Sequence, residues 1–411
     1  MALIKPFRGY RPPADLAHKI TSPPYDVMTS DEARDMVQNN NDSFLRVIKP
    51  EIDFSPENEP KRDDLHNHAK HNLLDYIEKG NLIQDVNSCF YLYQITMGNH
   101  TQTGIMAAVS IAEYNEGLIK KHEFTQPEKE DDRTRHIEIT NANTGPVFLT
   151  YRNDGKLKNV TLEILNSHPD ISFTADDGTF HTLWKVENKI QVERLINYFQ
   201  AMPALYIADG HHRAASAARV QKFREDANSH HTGDESYNYF LSVIFPHDEM
   251  QILDYNRVVK DLNGLTEEQF HESIKENFDV VPIPHPPLPI PKNNYSMHIN
   301  GKWYQLEALT HVKSDDPVEG LEASILQKYL LTPILDIDDP RTNKRINFVG
   351  GIRGMEELER RCQTDCTVAF ALPPVSIEQL LSVADSGQVM PPKSTWFEPK
   401  LRSGMVVRLL D

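Results

Sequence analysis

The chain has 411 residues, 39% of them hydrophobic and 25% charged, with a formal net charge of −17. That length exceeds one ordinary core and implies two or three domains. No apolar run approaches the roughly eighteen residues of a membrane-spanning helix, MALIKPFRGYRPP at the N-terminus lacks the apolar stretch of a signal peptide, and such acidity repels phosphodiester backbones. A cytoplasmic protein with no membrane and no nucleic-acid partner is therefore expected. A small anion held by a few local positive groups stays compatible with the charge. Cys89, Cys362 and Cys366 cannot all pair with one another, and no histidines or second cysteine pair complete a zinc set around Cys362 and Cys366.

In chain order, Pro6, Pro12, Pro13, Pro23 and Pro24 punctuate the start, so Ser22 to Val27 reads as a rigid extended loop. Thr29-Ser30-Asp31-Glu32 forms a capping box opening a short helix. A polar helix is expected over about residues 59–79, with His66, His68 and His71 on a solvated face. Residues 89–97 and 104–112 read as two strands joined through Gly98-Asn99-His100. A polar segment, 120–143, follows with no element assigned. Strands are expected at 146–151, 181–186 and 239–245, and helices near 190–201 and 266–277. PIPHPPLPIP, residues 282–291, favours an extended spacer, marking a boundary or a long crossover. Irregularly alternating helices and strands with hairpins give an α+β, or mixed α/β, class.

Three polar constellations carry chemistry. In LYIADGHHRAASAARV, residues 205–220, an apolar strand runs through Asp209-Gly210-His211-His212-Arg213 into a small-residue helix. A strand–glycine–helix turn presents backbone N–H groups and a favourable dipole to an anion. Gly210 permits close approach, His211 and His212 add donors, and Arg213 can grip a phosphate with two N–H groups. Asp209 suits a Mg²⁺ ion or the orienting of a histidine; the plainer alternative makes it a helix N-cap with exposed histidines. Next, in Lys120-Lys121-His122-Glu123-Phe124-Thr125, the positive neighbours keep Glu123 ionised, as a base for a bound alcohol must be; alone, this is an ordinary surface stretch. Last, Pro391-Pro392-Lys393-Ser394-Thr395 offers a cation and two hydroxyls to a phosphate without the glycine spacing of a P-loop.

Together, KPFRGYRPP…SPPYDV, KKHEFT, IADGHHR and MPPKSTWFEPK resemble the family known as domain of unknown function 1015, over nearly the whole chain. The D-G-H-H-R turn also resembles the ParB/sulfiredoxin-like fold, and within that superfamily the free serine kinases match best. They carry H-E, D-G-H-H-R and P-K-T-T in that order; here the order is His122-Glu123, Asp209 to Arg213, and Pro392-Lys393-Ser394-Thr395, with one Thr replaced by Ser. The resemblance implies phosphoryl transfer between ADP or ATP and a small hydroxyl compound, free L-serine first. Glu123 would be the general base, with Asp209 and His211 beside it in the catalytic set and Asp209 holding Mg²⁺. Gly210, His212, Arg213, Lys393, Ser394 and Thr395 would bind the nucleotide phosphates. His122, Arg8, Tyr25 and Asp26 would line the same cleft.

The implied organisation is an N-terminal α/β region over residues 1–115, a ParB/sulfiredoxin-like core over 116–280 carrying the turn, and a C-terminal α/β region over 281–411 contributing the Pro-Pro-Lys-Ser-Thr loop. Sulfiredoxin chemistry requires a cysteine in the turn, where this chain has His211. The alternatives are a non-enzymatic nucleotide-binding sensor and a ParB-like regulatory protein; the acidity counts against the latter. Oligomeric state is not readable from the sequence.

Overall fold

Apolar runs rich in β-branched and aromatic residues organise two sheets. In the computed structural model, which describes residues 2–58 and 60–410, the chain divides into two units. The first comprises residues up to Lys121, Thr125–Met250, and those from Pro399 onward; the second comprises His122–Phe124 and Gln251–Glu398.

The first unit is built on a nine-stranded sheet. Its strands are β1 (Ile4–Lys5), β2 (Phe90–Met97), β3 (His100–Ser110), β4 (Ile119–Lys120), β5 (Val147–Tyr151), β6 (Ile171–Thr174), β7 (Phe180–Val186), β8 (Leu205–Asp209) and β9 (Tyr239–Pro246). They lie in the order β4-β8-β5-β9-β3-β2-β7-β6, with β1 paired to β3. The β8–β4 and β5–β9 pairs are parallel and the rest antiparallel, so the sheet is mixed and the class is α+β. The hairpin of β2 and β3 is tighter than the sequence reading. Met97 pairs with His100, leaving a two-residue turn whose first position is Gly98 at φ +58°, a conformation that favours glycine. Ile105, Leu149, Ile207, Phe240 and Ile244 are buried in the core of this sheet.

Helices α1 (Arg62–Glu78), α2 (Pro127–Thr140) and α3 (His211–Ala227) belong to the same unit. In α3 the small residues Ala214, Ala215, Ser216 and Ala217 are buried, as the small-residue pattern requires for close packing. Helix α2 falls within the polar segment that the sequence left unassigned. Its buried face is Thr134, His136, Ile137 and Thr140, mostly polar residues, so no apolar period marks it. In α1, Glu59, where the expected helix begins, lies outside the described residues. The expected solvated histidine face holds for His71 alone. His66 is buried, with Nε2 3.3 Å from Asp132 Oδ1, and His68 Nε2 lies 2.8 Å from Asp53 Oδ2. The capping box of Thr29 and Glu32 forms as its spacing implies.

The second unit holds a six-stranded antiparallel sheet: β10 (Tyr255–Val259), β11 (Phe278–Ile283), β12 (Asn294–Ile299), β13 (Lys302–Ala308), β14 (Ile346–Gly350) and β15 (Val368–Ala371). The order is β11-β13-β12-β15-β10-β14. Residues 284–293, most of the proline stretch, join β11 to β12 past the place that β13 takes between them. The prolines thus make a crossover inside one sheet. Phe270, Ile274, Tyr295, Leu306, Leu330 and Phe370 fill its core.

Two buried histidines of the first unit are held neutral. Burial, then Arg133, pushes His136 down to about 3, and its Nε2 sits 3.0 Å from the Val47 carbonyl. Burial, then Arg402, does the same to His181, also to about 3; its ring nitrogens bond Tyr93 and Thr179 at 2.8 Å each. Both folded pKa values lie below the ordinary histidine value of 6.5. As pH falls through that value the unfolded chain takes up protons that the folded chain refuses, so stability is full above it and declines on acidification. Urea midpoints are expected to fall between about pH 7 and about pH 4.5, and the double variant His136→Gln/His181→Gln to flatten that slope. An unchanged slope would remove these two side chains as its cause.

Candidate functional site

Strand β8 ends at Asp209 and α3 begins at His211, so one residue makes the turn. Gly210 has φ +93° and ψ 30°, the left-handed region. A Cβ there would stand 3.4 Å from the Arg213 guanidinium and 3.5 Å from Val147 Cα; the strain would come from the backbone angle rather than from crowding. The pairing of β8 with β5 breaks between Ile207 and Asp209, a bulge at the last residues before the turn. The N-cap of α3 is Gly210, with no side-chain cap, so Asp209 is not the cap of the plainer reading. The first-turn amides of a seventeen-residue helix therefore receive no capping side chain, and they carry the positive end of its dipole.

Asp209 instead pairs with Lys400, Nζ to Oδ2 2.9 Å. Burial alone would raise the Asp209 pKa, but Lys400 and then Arg213 outweigh it and hold the carboxyl well below its usual range. Arg213 is largely buried. Its Nη2 lies 3.6 Å from Asp26 Oδ2, another of its nitrogens donates to the Pro146 carbonyl, and its Nε is buried with no hydrogen-bond partner. Burial would lower the Arg213 pKa; Asp26 and Asp209 overcome that and raise it. His212 Nε2 accepts the Gln126 N–H at 2.9 Å, so a neutral His212 carries its proton on Nδ1. His211 is buried. Tyr25 lies under the Arg133 guanidinium, 4.3 Å from ring centroid to Cζ, and burial, then Asp26, pushes its phenol up to about 12. Tyr25, Arg133, Gly145 and Arg213 line a cavity of about 30 Å³, room for water-sized occupants.

Of the sequence-derived residues, the first unit brings together Asp209, Gly210, His211, His212 and Arg213 with Tyr25 and Asp26. Arg8, also in this unit, donates from Nε to the Asp85 carbonyl at 3.0 Å. The second unit contains His122-Glu123-Phe124 of the second motif beside the third: the His122 carbonyl accepts the Met390 N–H at 2.8 Å, immediately before Pro391. His122 is buried and Glu123 half-buried. Lys393 adopts φ +58°, and its Nζ stands 5.5 Å from the Tyr255 ring centroid. Ser394 Oγ donates to the Pro391 carbonyl at 2.7 Å, and Thr395 follows it into the short strand Trp396–Glu398. Lys400 and Arg133 escaped the sequence reading. Lys400 ends the FEPK stretch, where a lysine two residues past a strand carries no signal of its partner; Arg133 lies in the unassigned polar segment.

Fold and site thus define an α+β protein with a strand-to-helix turn whose helix N-terminus has no side-chain cap. The chain belongs to the family described as protein of unknown function DUF1015, which matches residues 4–325. No curated protein matches it. Among solved structures it is similar to a free serine kinase in complex with AMP, at 11% identity and TM-score 0.36, covering 72% of this chain and 86% of that one. It is similar to a conserved hypothetical protein from Pyrococcus furiosus, at 12% and 0.36, covering 73% and 93%. It is also similar to SbnI with a C-terminal truncation from Staphylococcus aureus, at 11% and 0.38, covering 71% and 82%.

Lys400→Met leaves the Asp209 carboxylate half-buried without its cation. Its folded pKa then rises from its lowered value, so the loss relative to wild type is absent at low pH and grows as pH climbs through the carboxylate range. A loss of about 1–3 kcal/mol at neutral pH is expected in denaturant titrations, with Asp209→Asn in the same background restoring most of it. Equal losses at low and neutral pH would contradict the pairing. Separately, Gly210→Ala should cost about 1–2 kcal/mol through the left-handed backbone; no loss in the same titration would place the turn in another conformation.

Proposed function

We propose that the Asp209–Arg213 turn binds the phosphates of an adenine nucleotide, ADP or ATP, and that the protein moves a phosphoryl group between this nucleotide and a small hydroxyl compound, free L-serine first. The observation that supports this most is the uncapped α3 N-terminus with the unbonded, buried Nε of Arg213 beside it. Gly210 lets a phosphate approach the backbone, and Arg213 meets it with a charged donor. His212, whose Nε2 is engaged by Gln126, has Nδ1–H as its donor. Lys400 neutralises Asp209, which would otherwise repel the phosphate. Phosphoryl transfer asks chiefly for such positioning and charge neutralisation.

Turnover adds Glu123 as the proposed general base. It takes the proton of the acceptor hydroxyl as the new O–P bond forms and the bond to the nucleotide's leaving oxygen breaks. Lys393, Ser394 and Thr395 are the proposed further phosphate contacts. In the turn, both carboxylates already face cations, Asp209 with Lys400 and Asp26 with Arg213. This donor set does not fit a resident Mg²⁺, so Mg²⁺ belongs to the proposal only as the nucleotide's companion.

Calorimetry with ADP should show Arg213→Ala binding at least about tenfold more weakly, the worth of one charge-assisted hydrogen bond; unchanged affinity in a folded variant rejects the phosphate turn. Purified protein with Mg²⁺ should interconvert O-phosphoserine plus ADP or AMP, or serine plus ATP or ADP. Glu123→Gln should keep nucleotide affinity and lose turnover. No interconversion by the folded protein removes serine as acceptor, and retained turnover in Glu123→Gln removes Glu123 as base.

A further inference from the structure

A second pocket of the first unit, about 400 Å³, shares Tyr25, Ile48 and Arg133 with the small cavity that Arg213 lines. That volume lies in the range of metabolite sites. Three cations line it, Lys49, Arg62 and Arg133, against two carboxylates, Glu51 and Asp132. One positive charge is left in excess, in a chain whose net charge is −17. The cations are not equally committed. Arg133 is bonded to Asp132 and to the Ile48 carbonyl. Lys49 sits 2.9 Å from Glu51, which Ser30 also supplies with a hydrogen bond at 2.9 Å. Arg62 is 3.7 Å from Asp132 and half-exposed at the rim. His66 closes the wall: its side chain is 3% exposed, and its Nδ1 has no hydrogen-bond partner. A buried imidazole nitrogen without a partner costs free energy unless something occupies the space before it.

We propose that this pocket is a binding site for a small molecule with one carboxylate and a neighbouring ammonium or hydroxyl group. One excess positive charge matches the single carboxylate of a hydroxy acid, and an amino-acid zwitterion sets its two charges against cations and carboxylates that both line the wall; a phosphate dianion would overshoot the excess. Arg62 and Lys49 meet the carboxylate. Asp132 and Glu51 accept from the ammonium or hydroxyl next to it, and both are held ionised. Burial would raise each, but His66 and Arg133 outweigh it at Asp132, and Lys49 does so at Glu51. His66 Nδ1 supplies the remaining polar contact. The pocket shares lining residues with the cavity beside the turn: Arg133 stacks on Tyr25, and the neighbouring Asp26 pairs with Arg213. The site's role as the seat of the phosphoryl acceptor rests on the phosphotransfer reading above; its existence as a carboxylate pocket does not.

The test is calorimetric titration of the full chain with L-serine, D-glycerate and inorganic phosphate, each with and without ADP. At least one of the two carboxylates should bind, and phosphate should not displace it. Arg62→Gln, at the half-exposed rim and so no threat to folding, should weaken it by about tenfold, the worth of one charge-assisted contact, with ADP affinity unchanged. Lys49→Gln should do the same. Serine without glycerate would assign an amino acid, glycerate without serine a hydroxy acid. No binding of either carboxylate by the wild type, binding of phosphate alone, or wild-type affinity in both variants overturns the pocket. Carboxylate binding that depends on Arg62 in a protein that ignores ADP would uphold the pocket and reject the nucleotide reading instead.

Discussion

An acid at the helix N-terminus proposed to bind an anion needs a reason, and Lys400 supplies it. Asp209 terminates β8 where the chain must turn through a left-handed glycine into α3, and its carboxylate is held ionised by the ammonium 2.9 Å away. The pair ties the sheet's strand to a segment nearly two hundred residues further along the chain. It also leaves Arg213 free of Asp209 as a sole partner, so that one guanidinium can join Asp26, the Pro146 carbonyl and an open Nε. Remove the lysine, and the same carboxylate becomes a like charge facing any phosphate brought to the helix N-terminus.

The molecule as a whole is strongly acidic, so the proposed anion binding depends on local arrangement. Cations in the first unit are set in ladders with carboxylates: Arg213 with Asp26, Arg133 with Asp132, Lys49 with Glu51. Each pair fixes a cation's direction and is itself neutral; the one positive charge in excess around the neighbouring pocket is that of Arg62. Aromatic stacking of Arg133 on Tyr25 links the turn's surroundings to the neighbouring pocket without another charge. Phosphate and carboxylate recognition would then share one wall, an economical arrangement for joining a nucleotide to a small acceptor.

Much of this was legible in the chain. The strand-to-helix turn, the α+β class, the hairpin around Gly98 and the capping box at Thr29 follow from strong local signals: an apolar run ending at a glycine, a small-residue helix, a turn dipeptide, a Thr and a Glu three apart. Tyr25 and Asp26, in the proline-punctuated N-terminal loop, stand beside Arg213. Helix α2 was not legible, because Thr134, His136 and Thr140 line its buried face and the apolar period is absent. His66 reads as solvated because its partner, Asp132, lies on another helix. Lys400 was invisible for the same reason: ion pairs across long sequence separations have no spacing rule.

The central claim is that the turn at Gly210 holds a nucleotide phosphate. A crystal structure of the protein grown with ADP tests it most directly. The account requires a phosphate oxygen within hydrogen-bonding distance of the first-turn N–H groups of α3 and of Arg213 Nε. ADP bound elsewhere, with the turn unoccupied, would contradict it.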